Sequence, residues 1–134
     1  MNTREPSASE VHAAADAIVE AFNATDGERY FNLFAPTASF VFHSEPHRLD
    51  SRADYQRLWA GWVEGGWRVI ECVSTDHLVQ TFPGGGVFSH TVFTQVHTPE
   101  GDDSYRERET IVFQVDGERL VAVHEHLSGF DGTL

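Results

Sequence analysis

The spacing of hydrophobic side chains along this sequence changes once. Up to about residue 65 most of them recur at helical intervals, and from residue 67 onwards they alternate with polar side chains. The first pattern is typical of amphipathic helices and the second of strands. The sequence therefore predicts helices first and a sheet after them, which is an α+β plan.

Three helices are predicted, each starting at a side chain that can cap it. In a capping box, a hydroxyl residue and a glutamate three positions later satisfy each other's backbone amides. The predicted caps are Ser7 with Glu10, Thr25 with Glu28, and Ser51. We expect the first helix to run for about four turns, the second to end before Pro36 and the third to end at Gly65-Gly66.

One short strand is predicted at residues 38–43, between the second and third helices. Four longer strands follow, at residues 67–81, 87–97, 105–115 and 118–128. Asp116-Gly117 predicts a tight hairpin between the last two strands, because glycine tolerates positive φ. We expect a strongly curved antiparallel sheet with the helices packed on its concave face, which would enclose a pocket. Residues 1–6 are predicted to form a disordered tail, and residues 7–134 a single domain.

Composition narrows the class of protein. The 134 residues are 40% hydrophobic and include ten Phe, which excludes a disordered chain. The formal charge of −12 disfavours nucleic acid and anionic membranes as partners. Cys72 is the single cysteine, which excludes internal disulfides and a cysteine-rich zinc site. The sequence has no long apolar run and no signal-like start, and we therefore expect a soluble cytoplasmic protein.

The last strand carries two histidines, His124 and His126, which alternation should place on one face. On the preceding strand, Glu109 shares the expected interior face with Ile111 and Phe113. The hairpin should bring Glu109 within reach of the two histidines, where a carboxylate and an imidazole could act as base and acid. The same arrangement also fits a purely structural hydrogen-bonded pair.

Metal binding is an alternative use of the same residues, since His124, His126 and Glu109 could supply three ligands. The motif lacks a further ligand downstream, and we expect neither a metal nor another cofactor.

A set of mostly aromatic residues is predicted to line the pocket. Its members are Phe42, His43, Tyr55, Trp59, Trp62, His90, Ile111 and Phe113. Such a pocket suits a flat apolar molecule held in place by a few polar groups. Aromatic residues at helical spacing fit an ordinary core equally well, and His43 also fits an exposed loop histidine.

Several positions carry a resemblance to a known family over roughly residues 10–130. They are Asp26, Tyr30, Leu33, Pro36, Glu109-Thr110 and the closing motif His124-x-His126-x-Ser128-Gly129. On these residues the chain resembles the SnoaL-like branch of the nuclear transport factor 2-like superfamily, and it is similar to the calcium/calmodulin-dependent kinase II association domain. The resemblance implies a cone-shaped α+β fold around a hydrophobic cavity, usually in a homodimer. Ile111 stands where the kinase domains carry a basic pocket residue, which argues against an anion pocket.

The superfamily contains both binding proteins and enzymes, so the fold does not choose a function. We expect a homodimer that binds a small apolar or partly polar metabolite, and leave open whether it is an enzyme. One alternative is an isomerase, cyclase or lyase that uses the His–Glu pair. Another is a homo-oligomeric assembly module with a vestigial pocket.

Overall fold

The structure of the protein is a computed structural model, and it describes residues 4–130. Within this range the chain forms three helices and five strands, in the predicted order. They are α1 (Ala8–Asn23), α2 (Gly27–Phe31), β1 (Phe34–Phe42), α3 (Arg52–Glu64), β2 (Arg68–Phe82), β3 (Gly85–Thr98), β4 (Gly101–Asp116) and β5 (Arg119–Gly129). The α+β class is confirmed.

The five strands form one open, curved sheet in the order β1-β5-β4-β3-β2. Strands β2 to β5 form the predicted antiparallel meander. Strand β1 pairs with β5 in the parallel direction, so one edge departs from the antiparallel expectation. No hairpin constrains β1, because it leads into α3 and the chain reaches β2 at the opposite edge.

The local signals for helix starts are confirmed for two helices and wrong for one. Ser7 caps α1 in a full capping box with Glu10, and Ser51 caps α3. The cap of α2 is Asp26 rather than Thr25. Thr25 adopts a positive φ of 52°, and its hydroxyl accepts a hydrogen bond from the Val69 amide at 2.8 Å.

Strands β1, β3 and β4 are longer than predicted. Strand β1 begins at Phe34 and therefore contains Pro36. Proline is tolerated here because β1 is an edge strand and its pairing with β5 is interrupted between Phe34 and Ser39. Strand β4 begins at Gly101, because its pairing with β3 continues up to the turn at Pro99-Glu100.

The core lies between the helices and the concave face of the sheet. It is dominated by aromatic side chains that contact one another edge to face. The largest fully buried ones are Tyr30, Phe34, Phe40, Phe88 and Phe113. Tyr30 stacks on Trp59 at a centroid distance of 5.1 Å, which ties α2 to α3.

The described part of the predicted N-terminal tail packs against the turn between β2 and β3. The Gly84 amide donates to the Arg4 carbonyl at 2.9 Å, the Thr81 hydroxyl donates to Glu5 at 2.9 Å, and Pro6 is fully buried. Residues 1–3 of the predicted tail and residues 131–134 of the predicted domain lie outside the described residues. No helix among residues 4–130 is long and apolar enough to cross a membrane.

Candidate functional site

Three glutamates are buried on the concave face of the sheet. Glu107 and Glu109 lie on β4 and Glu125 lies on β5, and none is more than 8% exposed. Glu109 pairs with Leu127 across the two strands, which makes Glu125 its diagonal neighbour. Buried carboxyl groups are rare unless they are paired or hydrogen-bonded, so this cluster marks a candidate site.

A bulge in β5 decides which side chains reach this face. Phe113 pairs with Ala122 and Val112 with His124. Val123 is therefore an extra residue in β5, which simple alternation of side chains does not predict. A shift of one residue exchanges the two faces of a strand.

The prediction that His124 and His126 face the interior and reach Glu109 is therefore wrong. Glu125 takes the inward position. His126 is exposed, and His124 contacts the Ser39 hydroxyl at 2.8 Å.

Glu109 does pair with a histidine, but with His90 on β3. The two residues lie directly opposite in the ladder, and His90 Nε2 is 2.5 Å from Glu109 Oε1. Burial lowers the pKa of His90 to about 4 and raises the pKa of Glu109. Both changes disfavour the charged form of each group, and the pair can exchange a proton along its hydrogen bond.

Glu125 is the carboxyl group in this cluster that holds its proton most strongly. Burial raises its pKa well above the ordinary value, and the charge of Glu109 and a hydrogen bond to it raise it further. The Tyr30 hydroxyl donates to Glu125 Oε1 at 3.3 Å and lies 3.1 Å from the Tyr55 hydroxyl. Burial raises the pKa of both tyrosines well above 10, so they remain neutral hydrogen-bonding groups.

Glu107 is the outermost of the three glutamates. Its carboxylate lies 2.5 Å from Nε2 of His43, whose side chain is 42% exposed. Burial raises the pKa of Glu107, while the hydrogen bond and charge of His43 lower it. This pair therefore links the cluster to solvent beyond the end of β1.

Two adjoining cavities lie between the helices and this face of the sheet. The inner one, of about 40 Å³, is lined by Ile18, Val19, Phe22, Tyr30, Tyr55, Cys72, Val92, Thr94, Glu107, Glu109, Glu125 and Leu127. The outer one, of about 160 Å³, is lined by Phe22, Phe42, Ser44, Tyr55, Trp62, Trp67, Tyr105, Glu107 and Leu127. The inner cavity thus carries the acidic groups, and the outer one is mainly aromatic and reaches the surface at Ser44.

The predicted pocket residues divide into three groups. Tyr55 lines both cavities, and Phe42 and Trp62 line the outer one. His43 and His90 bind the glutamates that line the cavities. The remaining three are buried core residues that line neither cavity: Trp59, Ile111 and Phe113.

Sequence reasoning missed two of the three glutamates and Tyr30 as parts of this site. Glu107 could have been found, since it shares the alternating interior face of β4 with Glu109. Glu125 could not, because its inward position depends on the bulge at Val123. Tyr30 sits at a helical position where a buried aromatic residue is the ordinary expectation.

The donor set of the cavities argues for proton chemistry and hydrogen bonding. Among residues 4–130, no group of three or more His, Cys, Asp or Glu side chains is arranged to hold a metal ion.

Cys72 lines the inner cavity, and burial raises its pKa to about 12. Its thiol is therefore a neutral wall group near neutral pH, since a nucleophilic cysteine needs a lowered pKa.

The chain matches a known protein family. The family model of the SnoaL-like domain matches residues 11–131, which is most of the sequence. The chain belongs to the SnoaL-like family. This confirms the resemblance seen in the sequence, and no curated protein matches the chain closely enough in sequence to add an activity.

Solved structures share the fold of this chain. A proposed calcium/calmodulin-dependent protein kinase II association domain from Xanthomonas campestris has a TM-score of 0.79 at 14% identity, covering 99% of this chain and 97% of that one. A similar protein from Exiguobacterium sibiricum has a TM-score of 0.78 at 14% identity, with coverages of 96% and 98%. A nuclear transport factor 2-like protein from Cytophaga hutchinsonii has a TM-score of 0.77 at 12% identity, with coverages of 90% and 95%. At identities this low, the solved structures show only that the cone fold is shared. The function of this SnoaL-like domain must therefore be argued from its site.

Proposed function

We propose that this SnoaL-like domain binds a small, largely apolar molecule that carries a neutral or positively charged polar group. The ring or hydrocarbon part would occupy the outer cavity, and the polar group would enter the inner one. The observation that carries the proposal is the buried cluster of Glu107, Glu109 and Glu125 at the inner end of an aromatic cavity.

The size and lining of the outer cavity favour an aromatic or alicyclic group. Its volume of about 160 Å³ is close to that of an engineered apolar cavity of about 150 Å³ that binds benzene. Phe42, Trp62 and Trp67 offer ring faces and edges to such a ligand.

The inner cavity selects the polar group by charge. Glu125, whose pKa burial raises most strongly, offers a hydrogen-bond donor to a neutral acceptor. Glu107 and Glu109 can accept from a hydroxyl or an ammonium group. A carboxylate or phosphate would face these acidic groups in a medium of low dielectric, and we expect such ligands to be excluded.

Three one-ring probes that differ in their polar group test this proposal. We expect phenol and benzylamine to shift the amide NMR signals of residues that line the cavities, and benzoate to leave them unchanged. Trp62→Ala and Glu109→Gln should weaken binding, whereas His126→Ala on the outer face should not. Binding of benzoate as tight as that of benzylamine, or equal losses in Glu109→Gln and His126→Ala, would contradict the proposal.

A second candidate function is acid–base catalysis, and the His90–Glu109 pair favours it. The Glu109 carboxylate could remove a proton from a carbon next to a carbonyl group, while Glu125 donates a hydrogen bond to the carbonyl oxygen that gains the electron pair. Exchange of the α-hydrogens of cyclohexanone with deuterium from solvent tests this step. The rate should rise above the uncatalysed one with the wild-type protein and return to it with Glu109→Gln. No acceleration by the wild-type protein would exclude this activity for simple ketones.

We also propose that the protein forms a homodimer and is located in the cytoplasm. Large apolar side chains on β2 and β3 remain exposed in the single chain, among them Ile70, Val73, Leu78, Phe82 and Phe93. Analytical ultracentrifugation should show twice the mass of the chain. A dimer that binds none of the probes would favour the alternative of an assembly module with a vestigial pocket.

Imaging of the tagged protein in its cells would test the cytoplasmic location.

A further inference from the structure

A line of hydrogen-bonded side chains connects the inner cavity with solvent beside α1. We call it the histidine relay. Its members, from the surface inwards, are Asp16, His12, His77, Ser74, His90 and Glu109.

The outer half of the relay joins α1 to β2. Asp16 Oδ2 lies 3.1 Å from His12 Nδ1, one helical turn away. His12 Nε2 then lies 3.2 Å from His77 Nδ1. The side chains of His12 and Asp16 are 40% and 56% exposed, so this end can exchange protons with bulk water.

The inner half crosses the sheet from β2 to β4. His77 Nε2 lies 2.8 Å from Ser74 Oγ, which lies 2.5 Å from His90 Nδ1. His90 Nε2 reaches Glu109 Oε1 at 2.5 Å. Each imidazole thus contacts a relay neighbour through each of its two nitrogens, which is the arrangement that a proton shuttle needs.

A second bulge places His77 in this line. The ladder between β2 and β3 shifts between Thr75 and Leu78, and Asp76 adopts a positive φ of 57°. In a regular strand His77, three positions after Ser74, would lie on the opposite face; the bulge takes up one position and brings both side chains to the same face. Bulges with such backbone conformations often re-aim a side chain towards a functional site.

We propose that the histidine relay carries protons between solvent at His12 and the carboxyl pair of Glu109 and Glu125 at the inner end of the cavity. The proposal deepens the second candidate function, acid–base catalysis, and rests on it, since the relay supplies the proton that such a site uses. It assigns roles to His12, His77 and Ser74, which do not line the cavities.

The protons balance along the whole line. At the start, His12 is an imidazolium that donates from Nδ1 to the Asp16 carboxylate and from Nε2 to His77. One proton then moves at each link: from His12 Nε2 to His77 Nδ1, from His77 Nε2 to Ser74 Oγ, from Ser74 Oγ to His90 Nδ1, and from His90 Nε2 to Glu109 Oε1. At the end His12 is neutral, Glu109 is a carboxylic acid, and every hydrogen bond still has one donor and one acceptor.

This sequence of transfers avoids a stable charge on the buried histidine. Burial lowers the pKa of His90 to about 4, which makes a lasting imidazolium unfavourable at that position. In the relay His90 gains a proton at one nitrogen as it loses one at the other. It is therefore neutral both before and after the transfer.

Other titratable groups surround the inner end of the relay. Those around Glu109 are Glu107 on β4, Glu125 on β5, His90 on β3, Cys72 on β2, Tyr30 on α2 and Tyr55 on α3. Water in the cavity offers a competing proton route to the same carboxyl pair. The relay can therefore be tested only by a rate, because both routes lead to the same equilibrium.

The experiment is a rapid pH jump on the ligand-free protein, followed by infrared absorption of the Glu109 carboxyl group, which is assigned by its loss in Glu109→Gln. His77→Phe should slow the relaxation by at least about tenfold without changing its end point. His12→Phe, on a different element, should slow it less, because His77 is itself exposed and can take up a proton directly from solvent. The matched control is His97→Phe, which removes another exposed strand histidine paired with a carboxylate, Asp102.

Chemical rescue separates a relay from a structural role. In His77→Ala, millimolar imidazole should restore the wild-type rate, since the position is open to solvent. Unchanged relaxation in both His77→Phe and His12→Phe, or slowing without rescue by imidazole, would overturn the relay and leave the cavity water as the proton route. The measurement uses no ligand, so its outcome is independent of whether the aromatic probes bind.

Discussion

His90 Nε2 lies 2.5 Å from Glu109 Oε1, and the His90 side chain is completely buried. Burial holds the pKa of His90 at about 4 in the folded protein, whereas a histidine in the unfolded chain takes up its proton below about pH 6.5. Between these values the unfolded state binds more protons than the folded state. Acid therefore acts against folding through this one side chain.

The first prediction is an acid-dependent loss of stability that His90 controls. When the pH is lowered from about 8 to about 4, protonation of His90 in the unfolded chain should reduce the free energy of unfolding by on the order of 3 kcal/mol. His90→Gln keeps a hydrogen bond to Glu109 but cannot titrate, so most of that loss should disappear. Urea unfolding at several pH values measures the effect, and His97→Gln is the exposed control. Equal pH dependence in His90→Gln and the wild type would show that His90 is not buried as a neutral group.

The second prediction concerns the opposite side of the pH range. Because burial raises the pKa of Glu125, its contribution to stability is full in acid and declines as the pH rises through its folded pKa. Glu125→Gln should therefore be more stable than the wild type at pH 8 and lose this advantage near pH 4. The exposed variant Glu118→Gln is the control. A variant less stable than the wild type at pH 8 would indicate that the Tyr30 hydrogen bond needs the carboxylate.

The overall fold could be predicted because its signals are local. The change from helical to alternating spacing separates helices from strands, and Ser7 and Ser51 cap their helices as a short window of sequence indicates. The β4 face also follows simple alternation, which is why Glu109, Ile111 and Phe113 were placed correctly in the interior.

The site could be predicted only in part, because two bulges decide its composition. The extra residue at Val123 exchanges the histidines of β5 for Glu125, and the bulge near Asp76 brings His77 towards Ser74. Bulges are set by pairing with the neighbouring strand, so a strand read alone carries no signal for them. His90 was placed correctly on the interior face, but its partnership with Glu109 depends on the β3–β4 register.

The third prediction tests the close contact between α1 and the sheet. A Cβ atom added at Gly86 would lie 2.7 Å from Val11 Cγ2 and 3.1 Å from the Gln80 carbonyl oxygen. Gly86→Ala must therefore displace α1, and we expect a loss of about 1–3 kcal/mol in the free energy of unfolding. Gly61→Ala lies in the last turn of α3, where a Cβ would meet no atom within 4 Å, and should instead stabilise by about 0.5–1 kcal/mol. Thermal or urea unfolding of the two variants checks the contrast, and a neutral Gly86→Ala would be inconsistent with the packing of α1.

The fourth prediction concerns the outer end of the acidic cluster, where His43 Nε2 lies 2.5 Å from Glu107. Burial raises the pKa of Glu107, and His43 opposes this through its hydrogen bond and its charge. His43→Ala should therefore raise the pKa of Glu107 further, and His43→Gln, which keeps a donor but no charge, should give an intermediate value. Carbon-13 NMR titration of the glutamate carboxyl signals measures the pKa in each variant. His47→Ala, in the same exposed loop, is the matched control and should leave it unchanged. A lower pKa of Glu107 in His43→Ala would contradict this prediction. It would mean that water entering the vacated space stabilises the carboxylate more than the imidazole does, and that the outer cavity is more polar than its aromatic lining indicates.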